Sequence, residues 1–121
     1  YPPNQPTAGR CLAFGEAVGN AIRAWEERQR VAVIASGGLS HFVVDEAFDR
    51  EIMTAMASND FERLTEYSES YFQAGSSEIK SWIAAGGAMR DSGLAGEIVE
   101  YQPLYRTPAG TGSSAAFMVW R

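Results

Sequence analysis

A short apolar run that ends in two glycines constrains this fold more than any other feature. Residues 31–35 read VAVIA, with β-branched side chains and no polar residue on either face. Such a run is typical of a strand buried on both sides in a parallel or mixed sheet. Because a helical pattern and a short polar connector precede it, the order predicts an α/β layer architecture.

Helical periodicity precedes and follows this predicted strand. Upstream, apolar residues spaced by three and four predict a helix from behind Thr7 to near Glu27. Downstream, Asp45 is placed to cap a helix through Met56, and Ser76 or Ser77 to cap another. The apolar face of the first helix consists of Cys11, Phe14, Val18, Ile22 and Trp25.

Two more strands are predicted near the end of the chain. Residues 97–105 form the first, and Pro103 indicates that this strand lies at a sheet edge or ends there, because proline cannot donate to a ladder. Residues 115–120 form the second, after a turn-rich loop. The predicted fold class is therefore α/β, with a mixed sheet flanked by helices.

Composition excludes several classes of partner. The 121 residues fit one domain and carry a net charge of −5. No cluster of Lys and Arg is present, which argues against binding to nucleic acid or an anionic membrane. No apolar run approaches the roughly 18 residues of a membrane span. The single cysteine, Cys11, forms no internal disulfide, and we expect a reducing, cytoplasmic setting.

The segment GGLSH, residues 37–41, contains the one histidine of the chain. In α/β sheets ligands bind outside the carboxyl ends of strands, and this segment directly follows the predicted strand. Glycines allow a sharp turn, and a histidine there can accept or donate a proton near pH 7. The alternative for His41 is a structural histidine bonded to a backbone carbonyl, and the local pattern leaves both open.

Two other uses of this segment are disfavoured. A nucleophilic Ser40 would need the last glycine of a G-x-S-x-G elbow, where the chain has Phe42. A metal site of His41 and Asp45 would have two ligands, whereas a mononuclear oxygenase iron takes two histidines and a carboxylate. We interpret Ser40 as a turn residue that holds the His41 backbone and Asp45 as a helix cap.

Two further polar stretches can each be interpreted as functional or as purely structural. Glu78 lies in GSSEI at the start of a predicted helix, where a negative charge is favourable without any further role. The loop RTPAGTGS, residues 106–113, offers hydroxyls to a polar ligand but is also typical of a hairpin connection. It has no lysine in a phosphate-loop position, so no nucleotide site is predicted. The candidate hydroxyls belong to Thr107, Thr111, Ser113 and Ser114.

Together these stretches resemble the class III extradiol ring-cleavage dioxygenases, the family of the protocatechuate 4,5-dioxygenase β subunit. The resemblance rests on YPPNQPT, VAVIASGGLSHF, GSSEIKSWIAAGGAM and YRTPAGTGSSAAFMVWR. It implies that residues 1–121 are the C-terminal part of an extradiol dioxygenase catalytic domain, with the N-terminal part absent. The start YPPNQP, which lacks an initiator Met, agrees with a piece of a longer polypeptide.

The resemblance also implies a function in aromatic compound catabolism. The complete enzyme would cleave catechol-type rings with non-haem Fe(II) and O₂, with His41 as acid–base catalyst and Glu78 as iron ligand. The candidate hydroxyls of the loop could bind a substrate carboxylate, as in protocatechuate or gallate. The two histidine ligands of the family have no counterpart here, and we expect them upstream of Tyr1.

Without those ligands, we expect the chain alone to bind no iron and to be inactive. Exposed strand edges and apolar helix faces should favour self-association into a homo-oligomer. A small partner subunit caps the site in some relatives, and the sequence does not decide whether one is needed here. The competing hypothesis is a non-catalytic binding or assembly module that retains the family fold.

Overall fold

The computed structural model describes residues 4–121, as helices packed against a small sheet. The opening residues 1–3, part of the expected extended start, lie outside the described residues. The helices are α1 (Ala8–Ala24), α2 (Glu46–Ala57), α3 (Arg63–Glu66) and α4 (Ile79–Met89), with short 3₁₀ turns at Glu69–Phe72 and Ala74–Ser76. The strands are β1 (His41–Val43), β2 (Gly96–Tyr105) and β3 (Thr111–Trp120). The predicted α/β class is confirmed. Within residues 4–121, no helix combines the length and apolar character needed to cross a membrane.

The sheet has the strand order β1-β3-β2, and both pairings are antiparallel, where the sequence predicts a mixed sheet. The run at residues 31–35, which would have supplied a parallel strand, has no ladder partner within residues 4–121. β2 and β3 form a long hairpin, and β2 lies at an edge, as Pro103 predicted. β1 pairs with the other side of β3, with His41 opposite Ser113 and Val43 opposite Thr111. This register brings the GGLSH segment against the first residues of β3.

The prediction of a buried strand at residues 31–35 is wrong. The run has no ladder partner within residues 4–121, and Ile34 is 85% exposed. It lies along an open apolar groove of about 840 Å³ that α1, α4 and β3 also line. An apolar run becomes a central strand only where other strands satisfy its backbone groups on both sides, and none does so here.

The first helix buries a different face from the one predicted. Phe14 is 65% exposed and Trp25 is also exposed, although Cys11 is buried. The buried positions are Ala8, Cys11, Leu12, Gly15 and Gly19. Small residues dominate this face because α1 lies directly against α4: a Cβ on Gly15 would be 1.9 Å from the Ala84 carbonyl oxygen. Apolar spacing missed this face because glycine adds no hydrophobic side chain to the pattern.

Two of the predicted helix caps are confirmed. The Thr7 side chain accepts a hydrogen bond from the Arg10 N–H at 3.2 Å. Asp45 accepts from the Phe48 N–H at 3.0 Å and starts α2. The serine cap predicted for α4 is wrong, because the hydroxyls of Ser76 and Ser77 donate backwards to carbonyls of the preceding turn.

Candidate functional site

His41 is the first residue of β1, and main-chain carbonyls hold its ring. Nδ1 lies 2.7 Å from the Gly75 carbonyl oxygen and 3.1 Å from that of Leu39. Because carbonyl oxygens only accept hydrogen bonds, Nδ1 carries the proton in the neutral ring and Nε2 keeps its lone pair. The side chain is 29% exposed. The ring is therefore anchored at one nitrogen and available for proton transfer at the other.

Glu78 lies opposite the free nitrogen of this ring. Its Oε2 is 3.9 Å from His41 Nε2 and accepts a hydrogen bond from the Gly38 N–H at 2.8 Å. The residue directly precedes α4, yet its side chain makes no capping bond to that helix. The carboxylate is 53% exposed. It therefore contacts the GGLSH segment, not its own helix, and remains open to a ligand.

The two glycines of GGLSH allow this close approach. A Cβ on Gly38 would lie 2.6 Å from His41 Cε1 and 2.8 Å from Nε2. A Cβ on Gly37 would lie 2.8 Å from Glu78 Cβ, and its φ of +143° is in the region that favours glycine. Both positions thus need glycine because an added methyl group would occupy space that the site uses.

Backbone strain flanks the His41 ring on both sides. Phe42 follows it with φ +68°, and Ala74, with φ +49°, precedes the Gly75 carbonyl that accepts from the ring. Such conformations cost about 1–3 kcal/mol in residues other than glycine and persist where the surroundings enforce them, often at functional sites. Both strained residues belong to segments that hold the imidazole.

A buried polar cluster lies behind the ring and anchors Ser40. Asp49 is fully buried and accepts hydrogen bonds from Ser40 N–H at 2.9 Å, Ser40 Oγ at 2.7 Å and Tyr101 OH at 2.9 Å. Burial, and after it the bond to Asp49, raises the pKa of Tyr101, so the phenol stays a donor. Ser40 Oγ also accepts from the Asp45 N–H at 2.9 Å. Ser40 is thus a turn residue, as the sequence predicts, but no signal in the sequence distinguishes Asp49 and Tyr101 from the charged and apolar residues around them.

Of the four candidate hydroxyls, that of Thr107 lies in the loop between β2 and β3, whereas Thr111, Ser113 and Ser114 belong to β3, which starts earlier than the sequence predicts. Ser113 pairs directly with His41, and directly opposed residues share one face of a sheet. Thr111, two residues earlier, shares that face, and its hydroxyl oxygen is 2.7 Å from that of Thr107. Ser114 is buried and donates to the Ser40 carbonyl, on the side of the polar cluster. The structure therefore brings Ser113 and Thr111 towards His41 and separates Ser114 from them.

The described residues do not by themselves form a complete metal site. Across residues 4–121, no three His, Cys, Asp or Glu side chains are grouped so that they could hold an ion. Glu78 offers one exposed carboxylate, a ligand type that Fe(II) accepts together with two histidines. The chain has one histidine, so the donor set fits one position of such a site and not the whole.

Comparison with known proteins shows which family the chain resembles. The family described as the catalytic LigB subunit of aromatic ring-opening dioxygenase matches residues 3–118. Gallate dioxygenase of Pseudomonas putida is 30% identical over 118 residues, which cover 88% of this chain and 33% of that enzyme. The chain therefore spans about a third of the length of this curated relative.

Proposed function

The chain belongs to the family of catalytic LigB subunits of aromatic ring-opening dioxygenases, and on that premise we propose that it forms the acid–base side of an extradiol site. The reaction proposed is the cleavage of a catechol-type ring by O₂ in an enzyme that includes this chain. The observation that supports it best is the 3.9 Å approach of His41 Nε2 to Glu78 Oε2 beside the two glycines.

His41 is proposed to move the proton. A catechol that binds a metal through its oxygens must lose a hydroxyl proton, and Nε2 has the free lone pair that can accept it. The hydrogen bond from Nδ1 to the Gly75 carbonyl keeps the ring in that tautomer and orientation. The same nitrogen can return the proton to an oxygen of the product, so one residue serves as base and then as acid.

Glu78 is proposed as the one iron ligand that this chain supplies. Its carboxylate is exposed, makes no helix cap and is held in place by the Gly38 N–H. Fe(II), when bound, would bring a chelating catechol and O₂ together on one centre. Because the chain contains one histidine, the two histidine ligands would have to come from outside these 121 residues.

The loop between β2 and β3, together with the start of β3, is proposed to bind a polar ring substituent. Ser113 and Thr111 lie on the face of His41, and Thr107 bonds to Thr111. A carboxylate such as that of protocatechuate or gallate would accept from these hydroxyls. Ser114, which donates to the Ser40 carbonyl, would contribute through the position of β3.

The test is a pair of substitutions in the complete enzyme that contains this chain. We expect His41→Gln to lower kcat roughly 100- to 10,000-fold, the usual contribution of a positioned acid–base group, with iron retained. We expect Glu78→Gln to deplete the iron. The measurements are anaerobic Fe(II) titration and the absorbance of the ring-fission product with catechol, protocatechuate and gallate.

A matched control is Glu97→Gln, an exposed carboxylate on β2 that pairs with Arg121 far from His41 in the fold. It should leave both iron content and turnover at the wild-type level. Wild-type turnover in His41→Gln would reject the assignment of His41, and wild-type iron content in Glu78→Gln would reject that of Glu78. A complete protein that binds no iron and opens none of these rings would favour the binding or assembly module.

A further inference from the structure

Asp49 is a buried carboxylate without a cationic partner among the residues described. It is fully buried on α2, and no Lys or Arg of residues 4–121 forms an ion pair with it. Its neighbour Arg50 instead pairs with Glu46 and lies over the ring of Tyr101. Removing a carboxylate from water costs several kcal/mol unless hydrogen bonds replace the lost hydration. The hydrogen bonds to Asp49 must therefore offset this cost, and the groups that donate them indicate which part of the fold Asp49 holds in place.

Two of the three hydrogen bonds to Asp49 come from Ser40, the residue before His41. Ser40 is also fixed at its carbonyl, which accepts from the Ser114 N–H at 2.8 Å, and at its hydroxyl, which accepts from Asp45. The third donor, Tyr101, connects the carboxylate to β2. The cluster thus ties α2 and two strands to the backbone immediately before the imidazole.

The imidazole has little freedom to move without losing its anchor. Nδ1 is bonded to Gly75 on one side, and the Gly38 backbone lies so close that an added Cβ would be 2.6 Å from the ring. A displacement of Ser40 would carry the His41 backbone with it and change both contacts. Misplacing a reacting group by about 1 Å can cost 100-fold in rate.

We propose that Asp49 is a positioning residue that acts through Ser40: it holds the His41 ring with Nδ1 on the Gly75 carbonyl and Nε2 towards Glu78. The inference rests on the proposed function for the role of His41 in proton transfer. The geometry that it predicts can be measured without turnover.

The experiment uses the single histidine of the chain as its own reporter. With ¹⁵N in the imidazole, NMR at mildly alkaline pH should show one tautomer, protonated at Nδ1, in the wild-type chain. Asp49→Asn should give a folded chain by circular dichroism in which His41 samples both tautomers. Ser40→Ala, which removes the 2.7 Å bond to Asp49, should change the signals in the same direction.

The control is Tyr105→Phe, compared with Tyr101→Phe. Both phenols lie on β2 and donate to a carboxylate of α2, but Tyr105 donates to Glu46, outside the cluster. Tyr101→Phe should shift the His41 nitrogen signals and Tyr105→Phe should not. Unchanged signals in folded Asp49→Asn, or in Ser40→Ala if Asp49→Asn does not fold, would overturn the proposal.

A kinetic measurement separates this proposal from the proposed function. In the complete enzyme, Asp49→Asn should lower kcat roughly 10- to 100-fold with little change in KM, because substrate contacts remain. If His41→Gln proves fully active, the proposed function fails, yet the tautomer measurement still decides whether Asp49 positions the ring. A tautomer shift without any change in kcat would overturn the catalytic importance assigned to Asp49.

Discussion

The imidazole of His41 is held in a space that leaves no room for one more methyl group. Gly38 contacts the ring edge, Gly37 contacts Glu78, and a Cβ on Gly75 would be 2.3 Å from the His41 carbonyl oxygen. Two glycines from two segments thus lie against His41, and a third lies against Glu78. The double glycine of GGLSH is therefore explained by the close approach of His41 and Glu78 as much as by the backbone conformation of Gly37.

Gly38→Ala tests this explanation. The alanine methyl would force the His41 ring away from Gly38, because the other close atom is a backbone oxygen, that of Ser114. We expect kcat of the complete enzyme to fall roughly 10- to 100-fold and the chain to lose about 1–3 kcal/mol of unfolding free energy. Steady-state kinetics and urea unfolding measure the two effects. An unchanged kcat would show that the ring does not need its present position.

At the scale of the element, the packing of α1 on α4 depends on glycine instead of large apolar side chains. Gly15 and Gly19 of α1 lie against the backbone of α4, and Gly87 of α4 lies against the Leu12 carbonyl. The two helices approach so closely that backbone touches backbone. The α4 helix starts immediately after Glu78, so this packing also helps to set where the carboxylate lies.

Gly15→Ala should separate the two helices, since a Cβ there would lie 1.9 Å from the Ala84 carbonyl oxygen. We expect a loss of about 1–3 kcal/mol of unfolding free energy from overpacking, measured by urea denaturation. Gly9→Ala in the same helix is the matched control, because no atom lies within 4 Å of its added Cβ. It should raise stability by up to about 1 kcal/mol through helix propensity. Equal effects of both substitutions would contradict the close packing.

At the scale of the whole molecule, one side of the described structure is open. The apolar run at residues 31–35 has no strand beside it, and the groove along it extends to Gly37. The Gly37 carbonyl accepts a hydrogen bond from Trp82 Nε1–H at the end of this groove. Unpaired backbone with exposed apolar side chains is a surface that pairs readily with other chains.

We therefore expect the isolated chain to self-associate with rising concentration. Ile34→Lys, which places a charge at an 85% exposed position of the run, should shift the equilibrium towards monomer. Sedimentation velocity over a concentration series measures it. The control is Val99→Lys, at an exposed position of the edge strand β2. It should have a smaller effect on self-association. Monomers at every concentration would contradict the expectation.

Local pattern determined the helices, the caps at Thr7 and Asp45, the edge strand with Pro103, and the stretches that contain His41 and Glu78. These features depend on residues a few positions apart, whose preferences and spacing are visible in the chain itself. Tertiary structure decided the rest. The Gly38–Glu78 bond joins residues 40 positions apart, and Asp49 meets Tyr101 across 52 positions.

Two of the wrong predictions, the strand at residues 31–35 and the buried face of α1, have the same physical cause. A strand at residues 31–35 requires partner strands, and the buried face of α1 depends on how closely α4 approaches. Neither partner can be identified from the segment itself, and glycine contributes no hydrophobic signal even where it makes the tightest contact. The sequence alone thus determined which segments could fold, and only the packing between distant segments decided which faces and side chains meet.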